Sequence, residues 1–303
     1  MGELFYWLFN MSMLGSLTGL VVLLVRLIRR IPRRYSVWLW LVPYIRFCVP
    51  LGLSSKWSLM TLISRITTRT VTVWEPANGI EFTITNTIMA ANSYFPITYK
   101  VNMLEGVFNA AAVVWAIGAA AILTALAILY LATMREIKGA RLLRENIYVS
   151  DRVKSPAVYG FFRPRIVLPE GYDEGALDYV LLHERAHIKY GDNPWRLLAF
   201  AVTALHWFNP LVWVFLRLLL GDMELACDER AVRKLDLTER KSYALALLSC
   251  AEGKSVFTAA FGGSRVRTRV ENVLEFKKMT AASALLFAAL IGAIAVALVT
   301  NAG

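Results

Sequence analysis

The sequence predicts a mainly α-helical, polytopic membrane protein with about four transmembrane helices and a mixed α+β domain inserted between the third and the fourth. Three observations carry this. The 303 residues are 57% hydrophobic and only 18% charged, with a mean hydropathy of +0.51, too apolar a balance for a soluble domain of this length. Three apolar segments are long enough to cross a bilayer. Between the last two of them lies a stretch of ordinary polar character that can fold as a domain.

The spans follow in order. Residues 5–28, 107–132 and 280–300 each provide the roughly 20 apolar residues that a transmembrane helix needs. Residues 35–53, YSVWLWLVPYIRFCVPLGL, are interrupted by Pro43, Arg46 and Pro50. Their terminal tryptophan and tyrosine are interface residues, which favours a kinked span over a re-entrant hairpin. Residues 196–220 are apolar with His206, Asn209 and Pro210 in the middle. They predict a helical hairpin dipping into the membrane or packing on it, broken at Asn209 and Pro210.

Charge sets the expected orientation. Arg26, Arg29, Arg30, Arg33 and Arg34 fill the short connection between the first two spans, and such clusters stay in the cytoplasm. The N-terminus is then outside. Residues 1–133 form the membrane domain, with an extracellular loop near 54–104 whose threonine-rich runs read as short strands. Residues 134–279 form a cytoplasmic domain, and 280–303 the fourth span. A signal-peptide reading of the first span is disfavoured, because no basic n-region precedes it and five arginines follow. The net charge of +11 is explained by the same bias, so no direct nucleic-acid partner is expected; the lipid bilayer is. Cys48, Cys227 and Cys250 match no disulfide framework or paired-cysteine knuckle.

The chemistry lies in EGALDYVLLHERAHIKY, residues 174–190. Its apolar spacing is helical, and His183 and His187, four apart, project from one face. Two imidazoles so placed can chelate one zinc ion. Glu184 beside them can take a proton from metal-bound water. Such a site needs a third protein ligand and an open position, and Glu224 of ELACDERAV is the candidate. Asp228, one turn on, can hydrogen-bond the far nitrogen of a ligating histidine. HExxH alone is a weak motif. Its weight rises here because the chain has three histidines and two are in this arrangement.

The run LLHERAHIKYGDN, then LHWFNPLVWVF, then MELACDERAV, resembles the integral membrane metallopeptidases of the beta-lactam sensor-transducer family, the BlaR/MecR-type antirepressors. SPAVYGFFRPRIVLPEG and FGGSRVRTRVENVLEFKK resemble that family's segments before the zinc helix and before the final span. The resemblance covers nearly the whole chain. It implies a gluzincin-like α+β zinc metallopeptidase domain between the third and fourth spans, with Zn2+ on His183, His187 and Glu224, Glu184 as catalytic base and Asp228 behind the ligands. It further implies a protein substrate, a transcriptional repressor cleaved after an outside signal, often with self-cleavage; a homodimer is an open expectation. The sensor-transducers carry a penicillin-binding domain beyond the last span, whereas this sequence ends at Gly303. The expectation is a short form lacking that domain, either a truncated piece of a longer chain or one of the family's shorter relatives with another signal.

Other residues carry two readings. His206 is expected to be a packed, hydrogen-bonded core residue rather than a catalytic one. Asp192 either ends the zinc helix or supports a ligand, and Cys227 is a minor alternative ligand. The strand expected in Gly160–Pro169 either binds substrate at a sheet edge or is a structural hairpin. Arg265, Arg267 and Arg269 read as a cytoplasmic anchor in preference to a self-cleavage stretch. No residue is nominated for the oxyanion. Two rival functions remain: a signalling scaffold whose structural zinc site is closed by Cys227, and a membrane protease of the prenyl-protein or stress-response type. Glu184 argues against the first, because a structural site needs no base. The HWFNP segment and the span layout argue against the second.

Overall fold

A computed structural model describes residues 2–28, 31–49, 54–55, 105–160, 163–172, 174–250, 266–276, 280–299 and 301–302. Most of the expected extracellular loop, together with Arg29, Arg30 and Arg265, lies outside the described residues.

The chain is mainly helical. Helix α1 spans Gly2–Arg26, followed by α2 (Arg33–Leu39) and α3 (Leu41–Cys48). The apolar stretch from 35 onward is thus two short helices that part at Trp40. Pro43 explains the break, since it has no N–H to donate to the carbonyl of Leu39. A two-residue strand, β1 (Ser54–Ser55), precedes α4 (Glu105–Glu136), a helix of 32 residues. Strands β2 (Arg141–Arg144), β3 (Ile147–Ser150), β4 (Ala157–Tyr159) and β5 (Arg165–Pro169) form a sheet of order β2-β3-β5-β4, in which only the β3–β5 pair is parallel. The helices α5 (Glu174–Tyr190), α6 (Asp192–Leu205), α7 (Pro210–Val232), α8 (Leu237–Ser249), α9 (Val266–Leu274) and α10 (Ala281–Val299) follow. A last short strand, β6 (Asn301–Ala302), pairs with β1.

Two described helices, Gly2–Arg26 and Gly106–Glu136, are long and apolar enough to cross a membrane; Ala284–Leu298 is apolar but shorter. The expected strand in Gly160–Pro169 is β5, and it is interior rather than at the edge. Its consecutive Ile166, Val167 and Leu168 are all buried, the mark of a strand covered on both faces. The edge strand on that side is β4.

One core joins α1, α2, α3 and α10 to α7. Trp40, Phe47, Phe215, Leu219 and Met223 are buried together, with Leu298 of α10 against them. The approach of α1 to α7 depends on a small residue, because a Cβ at Gly19 would stand 2.2 Å from the Phe215 ring. Gly19→Ala is expected to destabilise the protein by about 1–3 kcal/mol, the usual cost of overpacking. Thermal unfolding in detergent checks this, and Phe215→Leu in the same chain should recover part of the loss. A second core packs α7, α8 and α9 around Val232, Tyr243 and Val273. A third packs the sheet on α5 through Ile147, Ile166, Leu168 and Leu181.

The apolar hairpin is α6 and the first half of α7, broken where the sequence suggests. Asn209 caps α7, accepting from the Leu211 N–H at 3.0 Å with Pro210 in the first turn, which satisfies an otherwise orphaned donor. The Asn209 amide also donates to Ser12 Oγ and Ser16 Oγ at 2.8 and 2.6 Å, fastening the turn to α1. His206 is buried and its Nε2 bonds the Phe47 carbonyl at 3.0 Å.

Candidate metal centre

Helix α5 ends where Gly191 takes a left-handed conformation, φ 67°, which glycine adopts without steric cost. The chain turns at once into α6, so α5 presents His183 and His187 toward α7. Glu224 and Asp228 come from one face of α7.

The structure brings three side chains to one point. His183 Nε2 and His187 Nε2 are 3.1 Å apart, and the Glu224 carboxylate lies 3.5 Å from the first and 3.6 Å from the second. A four-coordinate ion with bonds of about 2.0–2.1 Å holds neighbouring ligand atoms about 3.3 Å apart. The two Glu224 distances run to different oxygens, Oε2 toward His183 and Oε1 toward His187, and one ligand atom from each of the three residues lies within 4.8 Å of the others, a group able to hold one metal ion.

The opposite nitrogens are fixed from behind. His187 Nδ1 bonds Asp192 Oδ2 at 2.5 Å, and His183 Nδ1 lies 3.1 Å from Asp228 Oδ1 and 2.9 Å from the Tyr243 hydroxyl. Tyr243 in turn donates to Asp228 at 2.8 Å. Proton donation from each Nδ1 leaves the lone pair on Nε2, where it faces the shared point. Asp192 thus begins α6 and holds His187 as well.

Cys227 stands on the other side of His187. Its thiol donates to Asp192 Oδ2 at 3.1 Å, and its sulfur is 3.3 Å from His187 Nδ1 rather than from the converging Nε2 atoms. Burial, reinforced by Asp192, pushes the thiol well above its ordinary pKa. The group formed by His183, His187 and Glu224 does not include it; Cys227 belongs with His187 and Asp192 to a second group able to hold an ion.

Two arginines that sequence reading did not assign to the site enclose the group. Arg269 of α9 donates twice to Asp228, at 2.7 and 2.8 Å, and reaches Glu224 Oε2 at 3.2 Å and His183 Nε2 at 3.1 Å. Arg196 of α6 donates to Glu224 Oε1 at 2.6 Å. The expected anchor therefore divides: Arg267 is exposed and pairs with Glu271, while Arg269, about 200° around the helix, is buried in the centre. The only sequence signal was that spacing within VRTRVENVL.

Burial alone would raise the Glu224 carboxyl; its neighbours His187, Arg269, His183 and Arg196 outweigh that and hold it well below the carboxylate range. Burial opposes ionisation of Asp228 too, yet Arg269 and His183 bring it down to about 2. Glu184 is buried beside His183, and no described group hydrogen-bonds its carboxylate or pairs with it.

The comparisons with known proteins agree with this picture. The profile of the BlaR1 peptidase M56 family matches residues 6–275. The regulatory protein BlaR1 of Bacillus licheniformis is 29% identical over 159 residues, 48% of this chain and 26% of that protein. The methicillin resistance mecR1 protein of Staphylococcus aureus is 29% identical over 114 residues, 36% of this chain and 20% of that one. The regulatory protein BlaR1 of Staphylococcus aureus is 23% identical over 145 residues, 44% and 25%. The matched part spans about a quarter of the length of these curated relatives. With the match of residues 6–275 covering most of its length, the chain belongs to the BlaR1 peptidase M56 family of metallopeptidases.

Proposed function

We propose that the chain is a membrane-embedded zinc endopeptidase that relays a signal by cutting a cytoplasmic protein, a transcriptional repressor or its own chain. The observation that carries the reading is the convergence of His183 Nε2, His187 Nε2 and the Glu224 carboxylate on one point. These three are the ligands. Bound there, zinc polarises a peptide carbonyl and makes a water acidic enough to ionise near neutral pH.

The remaining steps belong to protein groups. Glu184, buried and without a hydrogen-bond partner among the described residues, takes the proton and delivers it to the leaving amine. Asp228 and Asp192 keep the two imidazoles oriented. Arg269, locked by the two bonds it donates to Asp228, supplies the cation beside the scissile carbonyl, where negative charge develops.

The layout proposed with this function has four spans: α1, the α2–α3 pair, α4 and α10. The α+β domain lies in the cytoplasm between the last two. The basic connection after α1 supports that orientation.

Metal content and proteolysis, measured together on protein purified in detergent, test the reading. About one zinc per chain and cleavage of a casein-like substrate, both lost on chelation and both restored by zinc, are expected. A purified wild type that takes up no zinc overturns it. Asp192→Ala is expected to weaken metal binding roughly 10–100-fold, read by chelator competition, with the fold unchanged by circular dichroism.

A further inference from the structure

Behind the metal centre, on the face of α6 that meets α2, lies a cleft of about 290 Å³. Ligand pockets run to roughly 300–1,000 Å³, so this one has room for part of a molecule, such as a stretch of acyl chain. Its walls are mostly apolar. Val37, Trp38 and Leu41 come from α2 and the start of α3, and Trp195 and Leu198 from α6. Trp38 and Leu198 are about half exposed, at 50% and 48%, so the cleft opens to the surroundings of the helices.

Cations edge it. Arg230 lines the cleft with its guanidinium 3.6 Å from the centre of the Tyr190 ring, and Lys189 Nζ lies 5.8 Å from the same ring. Arg34 precedes Val37, Trp38 and Leu41 by three, four and seven residues, which puts it on their helical face, one turn nearer the arginine connection and beyond the cleft lining, with its guanidinium 4.9 Å from the centre of the Tyr35 ring. Its Nε is buried without a hydrogen-bond partner. Glu229, next to Arg230, accepts the N–H of Arg33 and of Arg34 at 2.9 and 3.1 Å and so holds the start of α2 against α7. Among the described residues none of Arg34, Lys189 and Arg230 forms an ion pair with a carboxylate.

An apolar slot flanked by tryptophan and tyrosine, with unpaired cations at one end, matches the two halves of an anionic phospholipid at the membrane interface. We propose that this cleft binds one such lipid, its acyl chain along Trp38, Leu41 and Leu198 and its phosphate between Arg34 and Arg230. The depth assigned to the cleft rests on the span layout proposed above. Occupancy reaches the metal centre, because Asp192 forms part of the cleft wall and also holds His187 Nδ1. Bound lipid therefore packs against the residue that orients one of the two imidazoles.

Native mass spectrometry of the full chain, released from bilayer nanodiscs holding equal phosphatidylglycerol and phosphatidylcholine, tests the proposal. The wild type should retain about one phosphatidylglycerol per chain, and Arg34→Gln and Arg230→Gln should each lower the preference about fivefold. Both substitutions keep the backbone N–H groups that Glu229 holds, so melting temperature and zinc content should stay at wild-type values. Equal retention of the two lipids by wild type, or variants that keep full preference, overturns the proposal. Displacement of the lipid by millimolar inorganic phosphate also overturns it, since the site would then be one for free phosphate. Alkaline carbonate extraction in parallel separates the two failures: a chain that washes off membranes refutes the span layout, whereas an integral chain without lipid preference refutes only the lipid site.

Discussion

Glu184→Gln is expected to lower peptide cleavage roughly 10²–10⁴-fold, the range over which a positioned general base acts. Zinc content and melting temperature should not change. The amide is isosteric, and no described residue depends on the Glu184 carboxylate for a hydrogen bond, so nothing in the packing suffers. It cannot accept the proton. Active-site titration with stoichiometric zinc, followed by rates on one substrate, checks this; a variant that retains more than about a tenth of the wild-type rate would remove Glu184 from the mechanism. Asp228→Asn is the useful contrast, because it keeps a hydrogen-bond acceptor for His183 and loosens Arg269, so some activity should survive.

Asp222→Ala should cost about 3–5 kcal/mol of stability, the penalty for removing one partner from a buried ion pair. Asp222 is fully buried. It accepts two bonds from Arg26 Nε, at 3.1 and 2.9 Å, and one from the Trp40 indole at 3.0 Å, with Arg33 at 3.8 Å. Truncation leaves an unpaired guanidinium and an indole N–H in a core of Phe215, Leu219 and Met223. Chemical denaturation in mixed micelles gives the loss directly. Asp222→Asn, which can still accept from Trp40, should recover part of it, and a loss below about 1 kcal/mol for the alanine variant would mean that water already reaches the pair. Since Glu224 is two residues away on the same helix, zinc affinity should fall with stability in the alanine variant.

The parts of this molecule that could be read from sequence are those fixed by local spacing. His183 and His187 share a face because four residues is about one helical turn, and Glu224 and Asp228 do so for the same reason. The break at Asn209 and Pro210 is equally local, a cap followed by a residue that cannot continue the preceding helix. What spacing cannot give is which distant elements meet. Arg269 carries the charge and membrane-proximal position of an anchoring residue, and only the packing of α9 against α7 brings it to Asp228. Tyr243 sits in an ordinary amphipathic helix, and its contact with His183 spans 60 positions. The strand at Arg165–Pro169 was visible, but its place inside the sheet depends on β4 folding back along it. Cys227 lies on the far side of His187 from Glu224, where His187, Asp192 and Cys227 make a second group able to hold an ion, an arrangement that sequence proximity to Glu224 does not give.

Helix α4 has a mechanical consequence. Its 32 residues make a rod of about 48 Å, against a hydrocarbon layer of about 30 Å. The excess projects toward the sheet, where Met134 and Ile137 pack beside Val153, Tyr159 and Val167 and Ser150 donates to the Glu136 carbonyl. The rod contains no proline, so it has no built-in flexure at which motion could be absorbed. A tilt of about 10° around its far end swings the near end by about 8 Å, and the strands packed on α5 are the load it carries.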